Sequence, residues 1–126
     1  MALTKVHHIS LNVTDAVRDT TFYTEVLGFK AIPRPDLGFK GAWLTMGDQQ
    51  LHLLEVPGFE APRGQHFAFG VPDIQAARAE LMKLGVEVSE PSTLAAVCWQ
   101  CFFKDPSGNL LELNQPMDPQ AGRVST

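Results

Sequence analysis

Apolar and polar residues alternate over residues 6–13, with Ile9, Leu11 and Val13 on one face and His8, Ser10 and Asn12 on the other. A period of two with one oily face predicts a half-buried strand. Asp15 stands where a helix N-cap is wanted, ahead of a helical stretch to Leu27 whose expected buried stripe is Val17, Phe22, Val26 and Leu27. Gly28 follows at the position where a left-handed C-cap favours glycine. Short strand patterns come next, over Phe29–Pro33, Gly41–Met46 and Gln50–Val56, with Gly47-Asp48 as a turn.

The pattern then recurs. His8-Ile9-Ser10-Leu11-Asn12-Val13-Thr14-Asp15 returns as His66-Phe67-Ala68-Phe69-Gly70-Val71-Pro72-Asp73, a shared H-x-x-x-x-V-x-D frame at an offset of 58 (66 − 8). Leu27-Gly28-Phe29 matches Leu84-Gly85-Val86, and Leu51-His52-Leu53 matches Leu111-Glu112-Leu113. The second helix is expected to open at Asp73, bury Ile74, Ala77, Leu81 and Leu84, and close at Gly85. Strands are predicted after it over Val86–Ser89, Ala95–Phe103 and Asn109–Asn114, the last two joined by the turn Asp105-Pro106-Ser107-Gly108. Each copy reads as βαβββ, and two copies place the chain in the α+β class. We expect a single domain over 1–126: module one about 4–56, a Pro- and Gly-rich linker 57–65, module two about 66–115 and a loose tail 116–126.

Strand parity selects the chemistry. On the non-oily face of the first strand stands His8, and on its repeat partner His66; on the last strand Glu112 lies opposite in parity to Leu111 and Leu113, and the repeat makes His52 its counterpart. Imidazoles and a carboxylate at repeat-equivalent positions are the ligand set of a divalent first-row metal such as Zn, Ni, Mn or Fe(II). A lone histidine or glutamate on such a strand is ordinarily structural; here the coincidence of four equivalent positions carries the reading. A metal also offsets the cost of burying the Glu112 carboxylate. His52 remains open as ligand, as base or as neither, and His7, on the oily parity, is read as structural.

Composition narrows the partners. With 126 residues, 44% hydrophobic and eight Phe, the chain has material for one real core. A net charge of −4 and singly scattered basic residues leave no stripe for nucleic acid. No apolar run approaches a membrane span, and Met1–Lys5 carries no signal-peptide core, so a cytoplasmic protein handling a small-molecule substrate is expected. Cys98-Trp99-Gln100-Cys101 falls in a predicted strand, where residues three apart point to opposite faces, so core packing is expected rather than redox or zinc chemistry. The segment Arg34–Gly41 reads as a loop over the cavity mouth, with Phe39 and Trp43 as candidate lining residues.

The His8–Asp15 motif, the run Phe22-Tyr23-Thr24-Glu25-Val26-Leu27-Gly28-Phe29 and the segment Phe103–Leu113 resemble the vicinal oxygen chelate superfamily, over about Val6 to Asn114. That superfamily includes glyoxalase I, fosfomycin-resistance thiol transferases, extradiol dioxygenases, methylmalonyl-CoA epimerases and bleomycin-binding proteins. The resemblance implies paired βαβββ modules forming a cupped, mostly antiparallel sheet around a metal, with the family's ligands falling on His8, His66 and Glu112. Glyoxalase I usually carries glutamate at the position of His52, where this chain has an imidazole able to ligate or to take a proton near neutrality. The cationic cluster of the fosfomycin enzymes has only Lys104 and Arg123 as isolated candidates here. The resemblance further implies a homodimer in which the first module of one chain faces the second of its partner. A thiol cosubstrate such as glutathione is implied for the transferase branch. Three functions follow: a metal-dependent enzyme of the isomerase, lyase or thiol-transferase kind acting on a small electrophilic or vicinal-oxygen substrate, a non-haem Fe(II) extradiol-type dioxygenase, or a non-catalytic drug-binding protein.

Overall fold

In a computed structural model the described residues are Met1–Asp118, and each half of the repeat folds as one helix on one mixed four-stranded sheet. The first sheet has the order β1-β4-β3-β2, from β1 (His8–Val13), β2 (Lys30–Ile32), β3 (Gly41–Met46) and β4 (Gln49–Glu55). The second has β5-β8-β7-β6, from β5 (His66–Gly70), β6 (Ser92–Leu94), β7 (Cys98–Lys104) and β8 (Leu110–Pro116). In each, the first and last strands of the module pair in parallel and the other neighbours are antiparallel. This is the expected α+β architecture of two βαβββ modules. Among the described residues no helix is long and apolar enough to cross a membrane.

The chain divides into two compact units, Met1–Pro62 with Asp105–Asn109, and Arg63–Lys104 with Leu110 onward. In the first, Val13, Ala16, Phe29, Leu44, Leu51 and Leu53 form the core; in the second, Ile74, Leu81, Val88, Cys101, Phe103, Leu111 and Leu113 do. The helices start as their sequences direct: the side chains of Asp15 and Asp73 accept from the backbone N–H groups of Arg18 and Ala76. Helix α2 (Ile74–Lys83) ends in a Schellman turn, with Val86 N–H on the Leu81 carbonyl and Gly85 at φ +87°.

The first helix behaves differently, and a one-residue difference accounts for it. Thirteen positions separate Asp15 from Gly28, against twelve from Asp73 to Gly85. The extra residue is absorbed by a π-helical turn, Phe22–Val26, appended to α1 (Ala16–Thr21), where Leu27 N–H reaches back to the Phe22 carbonyl at 3.3 Å. Only part of the expected stripe turns inward, with Phe22, Val26 and Leu27 half-buried. Val17 is 74% exposed, while the inward face carries Ala16, Asp19 and Tyr23. Polar side chains occupy it because the turn Asp105–Asn109 supplies partners. Tyr23 donates to Asp105 Oδ2 at 2.8 Å, and Ser107 Oγ donates to Asp19 Oδ2 at 2.9 Å. Asn109 Nδ2 donates to the Asn12 carbonyl at 2.9 Å. Burial, reinforced by the Asp105 charge, pushes the Tyr23 phenol far above its ordinary range. Tyr23→Phe should therefore lower the free energy of unfolding by about 1–3 kcal/mol, since it removes one bond from a buried carboxylate. Urea titration checks this, and an unchanged midpoint and slope would contradict it.

Two other expectations need correction. The strand expected over Val86–Ser89 does not form, and the short strand comes later, at Ser92–Leu94. Arg78 takes the Ser89 carbonyl with Nε and the Val88 carbonyl with a terminal nitrogen, at 2.9 and 3.2 Å, so a side chain occupies those acceptors, while the Ser89 N–H bonds the Phe102 carbonyl of β7 at 2.9 Å. In α2, Leu84 is exposed rather than buried, because it already stands at the turn that ends the helix. The tail lies outside the described residues from 119 on, and its first residue, Pro116, is the last of β8.

Candidate metal centre

Strand pairing sets the candidate ligands at matching stations of the two sheets. On β4, His52 is flanked by Ser10 of β1 and Trp43 of β3; on β8, Glu112 is flanked by Ala68 of β5 and Phe102 of β7. His8 and His66 open the parallel strands two residues before Ser10 and Ala68, on the same face. The alternation read in the sequence thus becomes a pair of side chains in each unit.

In the first unit the pair is His8 and His52. Their rings stack at 4.1 Å between centroids, and Trp43 stacks on His52 from the β3 side at 4.6 Å. Gln50, two residues back along β4, holds its Oε1 2.9 Å from His52 Nε2, which fixes the ring's orientation. Burial pushes the His52 pKa down, and electrostatic coupling to His8, His7 and Arg34 adds to the shift in the same direction. His52 is therefore a neutral imidazole with a lone pair near pH 7, the state that metal binding or proton abstraction requires. His7 lies just before β1, exposed, with Nδ1 3.0 Å from His8 Nδ1.

In the second unit His66 Nε2 lies 3.0 Å from Glu112 Oε1, and its Nδ1 lies 2.8 Å from the Gly64 carbonyl. Glu112 is only 6% exposed, and Asn114 Nδ2 donates to its other oxygen at 2.8 Å. The Gly64 carbonyl raises the His66 pKa most; burial opposes it, and the bond and charge of Glu112 add to the rise. Phe102 meets the His66 ring edge-on at 5.4 Å, as Trp43 meets His52 face-on at 4.6 Å. Each pair thus has an aromatic neighbour from the adjoining antiparallel strand.

The donors suit a divalent metal chemically: three imidazoles and a carboxylate, each of the two central ones already oriented by a neighbouring amide. Among the described residues, however, no three His, Cys, Asp or Glu side chains gather into a metal cluster. The structure gives two pairs, His8–His52 and His66–Glu112, not a completed set of four. Sequence reasoning missed Gln50 and Asn114, although both stand two residues from a candidate ligand and so share its face. Cys98 and Cys101 are free and buried, and burial pushes the Cys101 thiol up. Lys104 lies at the end of β7, and Arg123 is outside the described residues.

A family model described as the glyoxalase/bleomycin resistance protein/dioxygenase superfamily matches residues 5–113. The chain belongs to this superfamily. Among its relatives is glyoxylase I 4 of Arabidopsis thaliana, 29% identical over 141 residues that cover 98% of this chain and 79% of the plant protein. The glyoxalase family protein from Enterococcus faecalis superposes with a TM-score of 0.80 at 29% identity, covering 90% of this chain and 99% of that one. TnmS3, an antibiotic-binding protein from Streptomyces sp. CB03234, gives a TM-score of 0.78 at 28% identity, covering 92% and 98% of the respective chains. One scaffold thus carries both a glyoxalase family protein and an antibiotic-binding protein, so the fold alone does not separate these roles.

Proposed function

We propose that the chain is a metal-dependent enzyme of the glyoxalase superfamily, acting on a small electrophilic or vicinal-oxygen substrate, with His8, His52, His66 and Glu112 as the metal-binding residues. The observation that carries this reading is the register: His52 and Glu112 stand at equivalent stations of two sheets, each touching the histidine that opens the parallel strand beside it. Two pairs of donors are half of a metal's usual shell apiece, so a complete site needs one pair from each module. We further propose that a homodimer supplies them, module one of one protomer facing module two of its partner. Its buried surface would exceed about 2,000 Å², the range of obligate dimers.

A bound divalent metal would act as a Lewis acid on a substrate oxygen. The protein's own part is more specific. His52, whose pKa burial lowers, is placed to ligate or to accept a proton from substrate. Asn114 keeps the Glu112 carboxylate turned toward His66, and Gln50 keeps the His52 ring from rotating.

A second reading has one observation behind it: the stack of Trp43, His52 and His8 is a flat aromatic surface, suited to holding a planar compound without chemistry, and TnmS3 shows that the fold serves antibiotic binding in that protein. Metal analysis of protein purified without chelators separates the readings. Stoichiometric Zn, Ni or Mn is the expected result, and turnover is then assayed with and without a thiol such as glutathione. Stoichiometric Fe(II) would redirect the assignment to an extradiol-type dioxygenase. Metal-free protein that stays metal-free on dialysis against each ion would leave only the binding role.

A further inference from the structure

The loop between β2 and β3 holds an arginine in an unusual setting. Arg34 is half-buried, donates from a terminal nitrogen to the Phe39 carbonyl at 3.1 Å, and lies over the Phe39 ring with Cζ 4.9 Å from its centroid. Its guanidinium rests against β3 at Gly41. A Cβ built there would come within 3.0 Å of the terminal nitrogen and 3.1 Å of Cζ, and would collide with the Leu53 carbonyl, so only glycine admits this arrangement. Gly41 and Trp43 share a face of β3, and Trp43 is the residue stacked on His52.

Held by one carbonyl, one ring and one strand, the guanidinium is immobilised, yet most of its five N–H donors are uncommitted. Among the described residues the ion pairs are Arg18–Asp19, His66–Glu112 and Arg78–Glu90, and none involves Arg34. The one acidic residue in its own loop, Asp36, is turned to the Gly38 N–H at 2.9 Å. A fixed, half-desolvated guanidinium without a carboxylate partner is a receptor for a planar or tetrahedral oxyanion, which it engages with two parallel N–H bonds.

We propose that Arg34 is a specificity-determining residue that binds an oxyanion group of the ligand, a carboxylate or a phosphonate, beside the His8–His52 pair. The site would then select small oxyanion-bearing molecules over neutral ones of the same shape. The placement of the ligand beside those histidines rests on the functional reading above; the demand for negative charge rests on Arg34 alone.

The test uses the full chain stripped of metal, titrated with benzoate, phenylphosphonate and the neutral benzamide by calorimetry and by the NMR signals of the Arg34 guanidinium and the Trp43 indole. At least one of the two anions should bind about tenfold or more tightly than benzamide and shift both signals. Arg34→Met should bring that anion down to the benzamide level, and Arg34→Lys should keep part of the preference while losing the geometric fork. Lys83→Met, a cation removed from the far end of α2, should change nothing. Equal binding of anions and benzamide, no saturation by either anion up to about 10 mM, or a preference that survives Arg34→Met would overturn the proposal. If Arg34→Met does not fold, Arg34→Lys and the wild-type signals decide the same point. Metal content separates this from the wider reading. A protein that never takes up metal but prefers anions through Arg34 loses the enzyme assignment and keeps the receptor; a metal-loaded protein without the preference does the reverse.

Discussion

Glu112→Ala protein should fold and lose its metal, with affinity reduced by more than about 100-fold, because even the groups that merely orient metal ligands are worth 10–100-fold. The variant remains folded because Glu112 stands on a face of β8 opposite to Leu111 and Leu113, which anchor the sheet to its core. What it loses in the metal-free protein is one bond with His66 and one with Asn114. The expected cost is about 1–3 kcal/mol. Asn114→Ala should give a smaller loss of metal affinity, about tenfold or more, since the carboxylate is retained and only its orientation is freed. Metal analysis together with circular dichroism reads both. A folded Glu112→Ala protein with one metal per site at wild-type affinity would remove Glu112 from the ligand set.

Mixing His8→Ala chains with Glu112→Ala chains should restore metal binding, and this is the second large effect. In the proposed dimer each site draws His8 and His52 from one protomer and His66 and Glu112 from the other. A mixed dimer then contains one undamaged site and one lacking two ligands. Random exchange places half of the protomers in mixed dimers, so about a quarter of the sites recover, where each variant alone has none. Native mass spectrometry establishes exchange and metal occupancy in one measurement. Exchange without recovery would mean that each chain completes its own site, and the dimer would then have no part in binding the metal.

The local grammar of this chain is strong enough to be read directly. The H-x-x-x-x-V-x-D frame, the Asp15 and Asp73 caps and the Gly85 turn are short-range features, each set by the conformational preference of one or two residues. Strand alternation is equally local, so the shared face of His8 with Ser10, and of Glu112 with Asn114, follows from parity alone. The α+β class and the βαβββ order follow from stringing these elements together.

Whatever depended on distant partners was decided by the tertiary structure. Asp19 and Tyr23 face inward against their polarity because Asp105 and Ser107, more than eighty positions away, satisfy them. Val86–Ser89 alternates like a strand, but Arg78 reaches its carbonyls first. Leu84 loses its burial to the turn that ends α2. The segment Arg34–Gly41 is legible as a loop, but the setting of Arg34 is not, since it depends on how that loop folds the guanidinium over the Phe39 ring and against the bare Gly41. Periodicity places a side chain on a face; only the packing of the rest of the chain determines what that side chain meets there.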